Sequence, residues 1–379
     1  VSGVPAEPAR CRGSHVEVDR LQWRVGDGDP GKALATFLAA YGLPVDGWHT
    51  PAARATDGVC GAALSISAAG SAALAGLPPG PPTPVPAVPD LVAVAYRHGA
   101  GRPAPARPRG RWSLGPWRDS WSGDEHAAAV EAIREAIGRG EVYQVSLVGH
   151  ASAAYRGDPL PALRRVAALP GARYRGLLDG KGWAVACASP ETLLRVRGGR
   201  LWTRPIKGTA PATPAGRAAL LGSAKERAEH VMIVDLERND LAVVAATGSV
   251  RVDELFAVRR WCHLWQAESV VSARLAGGVD LVTLLAALCP GGSVTGAPKR
   301  AALHLLSALE PVGRGPAMGA VGWLDHDGMD LGLTIRTVAA HAGRVHVWAG
   351  GGITWGSDPA AEVAEAAAKA APLRAALAG

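Results

Sequence analysis

Two pairs of glutamates stand at a spacing that could serve chemistry: Glu226 with Glu229, and Glu362 with Glu365. Each pair is three residues apart in a stretch patterned as a helix, so its carboxylates share one helix face. Lys369 extends the second face, four residues beyond Glu365. Such pairs can hold a cation through oxygen, yet on spacing alone each reads more simply as a solvated helix face. Gly350-Gly351-Gly352 would let backbone N–H groups approach an anion closely, or would simply make a tight turn. Lys207, in Arg204-Pro205-Ile206-Lys207-Gly208-Thr209, is by itself a surface lysine at a strand end. Ser293-Val294-Thr295-Gly296 lacks the Gly-Lys-Ser/Thr ending of a phosphate loop. No His/Cys grouping suggests zinc. Cys11, Cys60, Cys187, Cys262 and Cys289 are odd in number and none share metal-ligand spacing, so they read as reduced thiols with no shared role.

The elements that must position these residues are legible from Ser122 onward. Ser122 and Glu125 form a capping box before a helix that sets Val130, Ile133 and Ile137 on one face, and Gly138 and Gly140 end it. Glu141 to Leu147 reads as a strand. Asp179-Gly180-Lys181-Gly182 and Gly198-Gly199 read as hairpin turns. Ser223 and Glu226 make a second capping box, opening a helix through about Leu236. Pro298 suits the first turn of a helix carrying Leu303, Leu306 and Leu309. Ala317 to Val347 reads as a meander of strands, and Ala360 to Leu377 as an alanine-rich helix. Upstream the patterning is weaker. Leu77 to Pro89 is too rich in proline for a helix or central strand and is expected to divide an N-terminal segment from the rest. Asp90 to Tyr96 then reads as a strand. Strands in series with interleaved helices argue an α+β fold.

With 379 residues the chain exceeds the size at which one core stops growing. At 48% hydrophobic and 19% charged it reads as globular and soluble. No apolar run approaches the roughly 20 residues that span a bilayer, and the N-terminus lacks a signal-peptide layout, so the expectation is a cytoplasmic protein with no membrane partner. The net charge of +7 raises the question of nucleic acid, but basic residues alternate with acidic ones except in Arg102 to Arg111. That stretch is proline-rich and reads as a solvated linker, so no nucleic-acid partner is expected; an acidic small molecule suits the charge equally well.

Three blocks, in this order, resemble the chorismate-utilising enzymes: Pro205-Ile206-Lys207-Gly208-Thr209, then Ala228-Glu229-His230-Val231-Met232-Ile233-Val234-Asp235-Leu236-Glu237-Arg238-Asn239-Asp240-Leu241, then Pro290-Gly291-Gly292-Ser293-Val294-Thr295-Gly296-Ala297-Pro298-Lys299. The resemblance runs from about Ser122 to the C-terminus. It implies a fold like that of anthranilate synthase component I, with two large antiparallel sheets packed together and helices outside. Residues 121–379 would form the chorismate-binding catalytic domain, and residues 1–120 a poorly matched region contributing to the fold. No Leu-Leu-Glu-Ser-type motif, which forms the tryptophan pocket of regulated anthranilate synthases, is found.

The resemblance also assigns roles. Glu229 and Glu365 would bind Mg²⁺, with Glu226 and Glu362 holding its waters; magnesium prefers oxygen and keeps several waters. The metal would take the ring carboxylate of chorismate and Arg336 the pyruvyl carboxylate, where a planar fork binds bidentately. Gly350, Gly351, Gly352, Lys369, Thr209 and Thr295 would complete the substrate-binding set. Glu191, in Ser189-Pro190-Glu191, occupies the general-acid position and needs a raised pKa. Lys207 would be the nucleophile at ring C2. Most anthranilate synthases carry alanine there, whereas lysine is typical of aminodeoxychorismate synthase component I. Gln144 stands where isochorismate and salicylate synthases carry a lysine base, which favours an amine product. His263 would be the active-site histidine. On this footing the segment Leu264 to Leu275 is about three residues longer than the usual pattern, and Ala317 stands where many relatives have tyrosine. The implied activity converts chorismate and ammonia to 4-amino-4-deoxychorismate for 4-aminobenzoate formation, with ammonia supplied by a separate glutamine amidotransferase. The alternatives are anthranilate synthase component I and a catalytically silent chorismate-binding subunit.

Overall fold

A computed structural model describes residues 14–49, 58–99 and 112–379. The linker read at Arg102 to Arg111 and Cys11 lie outside the described residues. The described residues build two antiparallel sheets. The ten-stranded sheet runs His15–Trp23, Leu91–His98, Val59–Ile66, Ala320–Asp325, Gly328–Leu333, Thr192–Arg197, Arg200–Arg204, Leu264–Arg274, Ile206–Pro211, with Arg251–Trp261 also paired to Leu264–Arg274. The seven-stranded sheet runs Gly296–Ala297, Gln144–Arg156, Arg344–Ile353, Thr337–His341, Trp183–Ser189, Tyr174–Gly180, with Ser113–Asp119 also paired to Gln144–Arg156. Both hairpin turns read at 179–182 and 198–199 join adjacent strands. The fold is the α+β, two-sheet architecture that the resemblance implied.

The proline-rich segment does not divide the chain. Leu91–His98, which follows it, lies between His15–Trp23 and Val59–Ile66, and Val59–Ile66 pairs directly with Ala320–Asp325. Proline forbids regular structure locally, but sheet order is set by which apolar faces can be buried together. The main core draws on both sheets: Leu64, Leu194 and Leu331 from the larger one meet Val148, Val185 and Trp348 from the smaller.

Helices cover the outer faces. The capping box at Ser122 and Glu125 forms as read and starts Gly123–Gly138, which buries Val130 and Ile133. Asp358 caps Pro359–Ala378, whose buried Ala366, Ala370, Leu373 and Leu377 recur at helical spacing; the last three pack with Leu160, Leu163 and Val166 of the helix Leu160–Ala167 and with Val338 and Val347 of the seven-stranded sheet. Ser223 caps Ala224–Ala242, which runs past the expected end near Leu236. The strand expected over Glu141 to Leu147 is Gln144–Arg156, because its alternation continues as a partner to Arg344–Ile353. The expected meander from Ala317 to Val347 is real but crosses sheets: Ala320–Asp325 and Gly328–Leu333 belong to one, Thr337–His341 and Arg344–Ile353 to the other.

Candidate active site

Lys207 reaches its position through an irregularity in its strand. Ile206 pairs with Glu268 and Thr209 with Gln266, so one extra residue is accommodated between them. Gly208 takes φ +93°, which a residue with a Cβ rarely adopts. A bulge of this kind re-aims a side chain. The Lys207 ammonium donates to the carbonyl of Gly352 at 2.9 Å and lies 3.4 Å from Glu229 Oε2. It therefore enters a cavity of about 100 Å³ rather than solvent. The plain reading of a surface lysine does not hold.

Glu191 and Arg336 sit where the chain passes from one sheet to the other, Glu191 between Trp183–Ser189 and Thr192–Arg197, Arg336 between Gly328–Leu333 and Thr337–His341. Both line the same cavity. Burial pushes the Glu191 carboxyl up to about 7, against the opposing pull of the Ser293 hydroxyl, which donates to it at 2.6 Å. It can therefore hold a proton near neutrality. Arg336 adopts φ +53° and is only 6% exposed. Its guanidinium stacks 4.6 Å from the Trp261 ring, its Nε is buried without a hydrogen-bond partner, and burial lowers its pKa to about 10. A buried guanidinium with an unanswered donor suits an anionic ligand.

The four glutamates come from two helices to this one cavity. Glu229 accepts from the Thr354 hydroxyl at 2.8 Å, and Glu362 from the Ser357 hydroxyl at 2.6 Å. Glu365 pairs with Lys369, whose ammonium also donates to the Gly350 carbonyl at 2.9 Å. Burial first, and then the charge of Glu229, raises the pKa of Glu226; burial, and then Glu365, raises that of Glu362, while Lys369 lowers that of Glu365. A Cβ placed on Gly351 would lie 2.8 Å from Glu362 Oε2 and 3.7 Å from Glu365 Oε1, so the glycine leaves a cradle beside two carboxylates. An all-oxygen donor set with mutual repulsion fits a magnesium ion. Lys207 pairs with Glu229 and Lys369 with Glu365, and among the described residues no three of the carboxylates gather within a single ion's reach.

The other expected residues divide. Gly350, Gly351, Gly352 and Thr209 line the cavity. Gln144 lies behind Gly352, where a Cβ would come 2.6 Å from its Nε2; both of its amide atoms are buried without a partner. Thr295 is buried, but its hydroxyl donates to the Gly291 carbonyl at 2.8 Å and does not line the cavity. His263 is exposed. Trp261 pairs with Leu264, which makes Cys262 and His263 the two residues of a hairpin turn. The stretch after it is continuous strand, Leu264–Arg274, with no inserted loop. Gln266, three residues on, is the side chain from this segment that enters the cavity, and the offset equals the excess length read from the sequence. Ala317 is buried outside the cavity, whereas Met318 lines it at φ +59°.

Sequence reasoning missed several contributors. His230 is fully buried, its Nδ1 3.0 Å from the Lys207 carbonyl and its Nε2 2.5 Å from the Ser269 hydroxyl, so it braces the strand that carries Lys207. Ser293, Thr354 and Ser357 orient the carboxylates. His230 falls within the quoted second block, next to Glu229, and Ser293 within the third; Thr354 and Ser357 carry no distinguishing signal. A second cavity, of about 360 Å³, is larger but mostly apolar and gathers none of these carboxylates or lysines. The smaller one is the candidate site because reactive groups converge there.

A family model described as chorismate binding enzyme matches residues 86–375. Aminodeoxychorismate synthase component 1 of Klebsiella aerogenes is 41% identical over 256 residues, 66% of this chain and 57% of that protein. Anthranilate synthase component 1 of Streptomyces coelicolor is 38% identical over 275 residues, 70% of this chain and 54% of that one. The chain thus matches little more than half the length of these curated relatives. Among solved structures, anthranilate synthase component I from Streptococcus pneumoniae superimposes with a TM-score of 0.78 at 25% identity, covering 98% of this chain and 94% of that one.

Proposed function

This chain belongs to the chorismate binding enzyme family, and we propose that it is an aminodeoxychorismate synthase component I, converting chorismate and ammonia to 4-amino-4-deoxychorismate, a precursor of 4-aminobenzoate. The observation that carries the reading is the Lys207 amine inside the cavity, beside Glu229 and Gly352, with the protonatable Glu191 lining the same space.

Arg336 binds the pyruvyl carboxylate of chorismate through its open donors, and Lys369 adds positive charge nearby. Glu229 and Glu365 would hold Mg²⁺, with Glu226 and Glu362 toward its waters, and the ion would supply positive charge for the ring carboxylate. Lys207, once its ammonium has given up a proton, attacks ring C2; both ring double bonds shift, and the C4 hydroxyl leaves as water with the proton of Glu191. Ammonia then adds at C4 and returns a proton to Glu191, both double bonds shift back, and the C2–N bond to Lys207 breaks to release the amine. Gln144 has no basic site with which to activate water at C2, which supports amination over hydration. The ammonia comes from a separate glutamine amidotransferase.

The second reading is anthranilate synthase component I, in which ammonia adds at C2 and pyruvate leaves; similarity to named members of that group favours it. Product analysis from chorismate, ammonium and magnesium separates the two.

A further inference from the structure

Away from the candidate active site, three soft ligands converge on adjacent strands of the ten-stranded sheet. His15 on His15–Trp23 and His98 on Leu91–His98 are direct cross-strand partners, so their rings share a face, with centroids 5.3 Å apart. Cys60 lies on Val59–Ile66, the neighbour of Leu91–His98 on its other side, where the register shifts between Val59 and Gly61. That bulge makes Cys60 the extra residue, and such a residue is re-aimed relative to strict alternation. One ligand atom from each of the three side chains lies within 4.8 Å of the other two. His15 Nε2 is buried without a hydrogen-bond partner. The Cys60 thiol is buried and lies 3.3 Å from the Tyr96 carbonyl.

We propose that His15, Cys60 and His98 form a binding site for a late first-row divalent cation of the zinc class. Two imidazoles and one thiolate are borderline-to-soft donors, which select zinc, cobalt or nickel and discriminate against magnesium. Metal bonds of about 2.0–2.1 Å to nitrogen and about 2.3 Å to sulfur bring donor atoms inside the 4.8 Å within which these three lie. His98 is exposed, so rotation about its side-chain bonds can supply the adjustment. The fourth tetrahedral position is left to water. Binding releases the thiol proton of Cys60 to solvent and involves no change of oxidation state. The ion ties three consecutive strands together at the end of the sheet that the N-terminal residues build. The sequence hides this grouping because its members lie on separate strands at no ligand spacing.

The test is cobalt titration of the full metal-stripped chain with magnesium in saturating excess, so that oxygen-only sites are filled. The site predicts one Co²⁺ per chain with a near-ultraviolet sulfur-to-cobalt charge-transfer band and intense visible bands of a four-coordinate ion. Cys60→Ser should lose the charge-transfer band. His98→Ala, at an exposed position that spares the fold, should keep a thiolate but bind Co²⁺ at least about tenfold more weakly, the smallest loss seen even for outer-shell partners. Zinc should raise the thermal midpoint of the wild type and not of Cys60→Ser. No charge-transfer band in the wild type overturns the proposal, as does a band that survives in Cys60→Ser or an affinity unchanged in His98→Ala. Should Cys60→Ser fail to fold, the wild-type band and the His98→Ala affinity decide.

Discussion

Lys207 acts in this account through its position as much as its identity. Its ammonium is held by the Gly352 carbonyl and Glu229, and Gly208 at φ +93° aims it there. Lys207→Ala is expected to cut turnover by at least about 10²-fold while leaving magnesium-dependent chorismate binding, read by calorimetry, nearly unchanged, because the lysine bonds to substrate only on the way to product. Glu191 carries the pH dependence. Its pKa is raised by burial from 4.5 to about 7, so the acid form is present below that value and lost above it. At constant free ammonia, kcat should fall as pH rises through about 7, and Glu191→Gln should remove that limb and cost about 10²–10⁴-fold. Stability has the same sign: the folded form retains a proton the unfolded chain gives up, so this contribution is whole below about 4.5 and gone above about 7. That Lys207, Glu191 and the four glutamates share one cavity was foreshadowed because each lies in a short motif or helix-spaced pair readable from contiguous sequence. His263 was misplaced because a hairpin turn and a strand interior can both carry such a residue, and only the pairing of Trp261 with Leu264 tells them apart.

At the scale of elements, the site depends on what two helices and one glycine-bearing strand present to each other. Replacing Glu229 or Glu365 with alanine should abolish turnover yet leave the circular-dichroism melt close to wild type, since both carboxylates face the cavity rather than the core. The glycine run separates site from scaffold. A Cβ at Gly350 would collide with the Leu147 carbonyl of the paired strand, so Gly350→Ala should destabilise the fold by about 1–3 kcal/mol in denaturant titration. The atoms nearest a Cβ at Gly352 are the ends of the Lys207 and Gln144 side chains, so Gly352→Ala should melt nearly normally and lose roughly 10²-fold in kcat as Lys207 is pushed aside. The helices and hairpins were readable because caps, turns and periodicity are local signals. The bulge at Lys207 and the crossings at Glu191 and Arg336 were not, since each is defined by a strand distant in sequence.

For the whole molecule, the two sheets share one core, and His15–Trp23, Val59–Ile66 and Leu91–His98 complete the larger of them, so these strands are part of the scaffold that supports the site. That topology could not be read from the proline-rich segment, whose effect is local. Within the described residues no helix is long and apolar enough to cross a membrane. The account gives this chain the amination step and leaves glutamine hydrolysis to a partner, so the purified chain should turn over chorismate with ammonium salts and show no turnover with glutamine. The amine goes to C4 or to C2, and mass spectrometry of the product from chorismate, ammonium and magnesium, with pyruvate assayed in parallel, tells the two apart. With Lys207 as the nucleophile the product is 4-amino-4-deoxychorismate, with no release of pyruvate. Anthranilate accompanied by stoichiometric pyruvate would contradict that role and put the amine at C2.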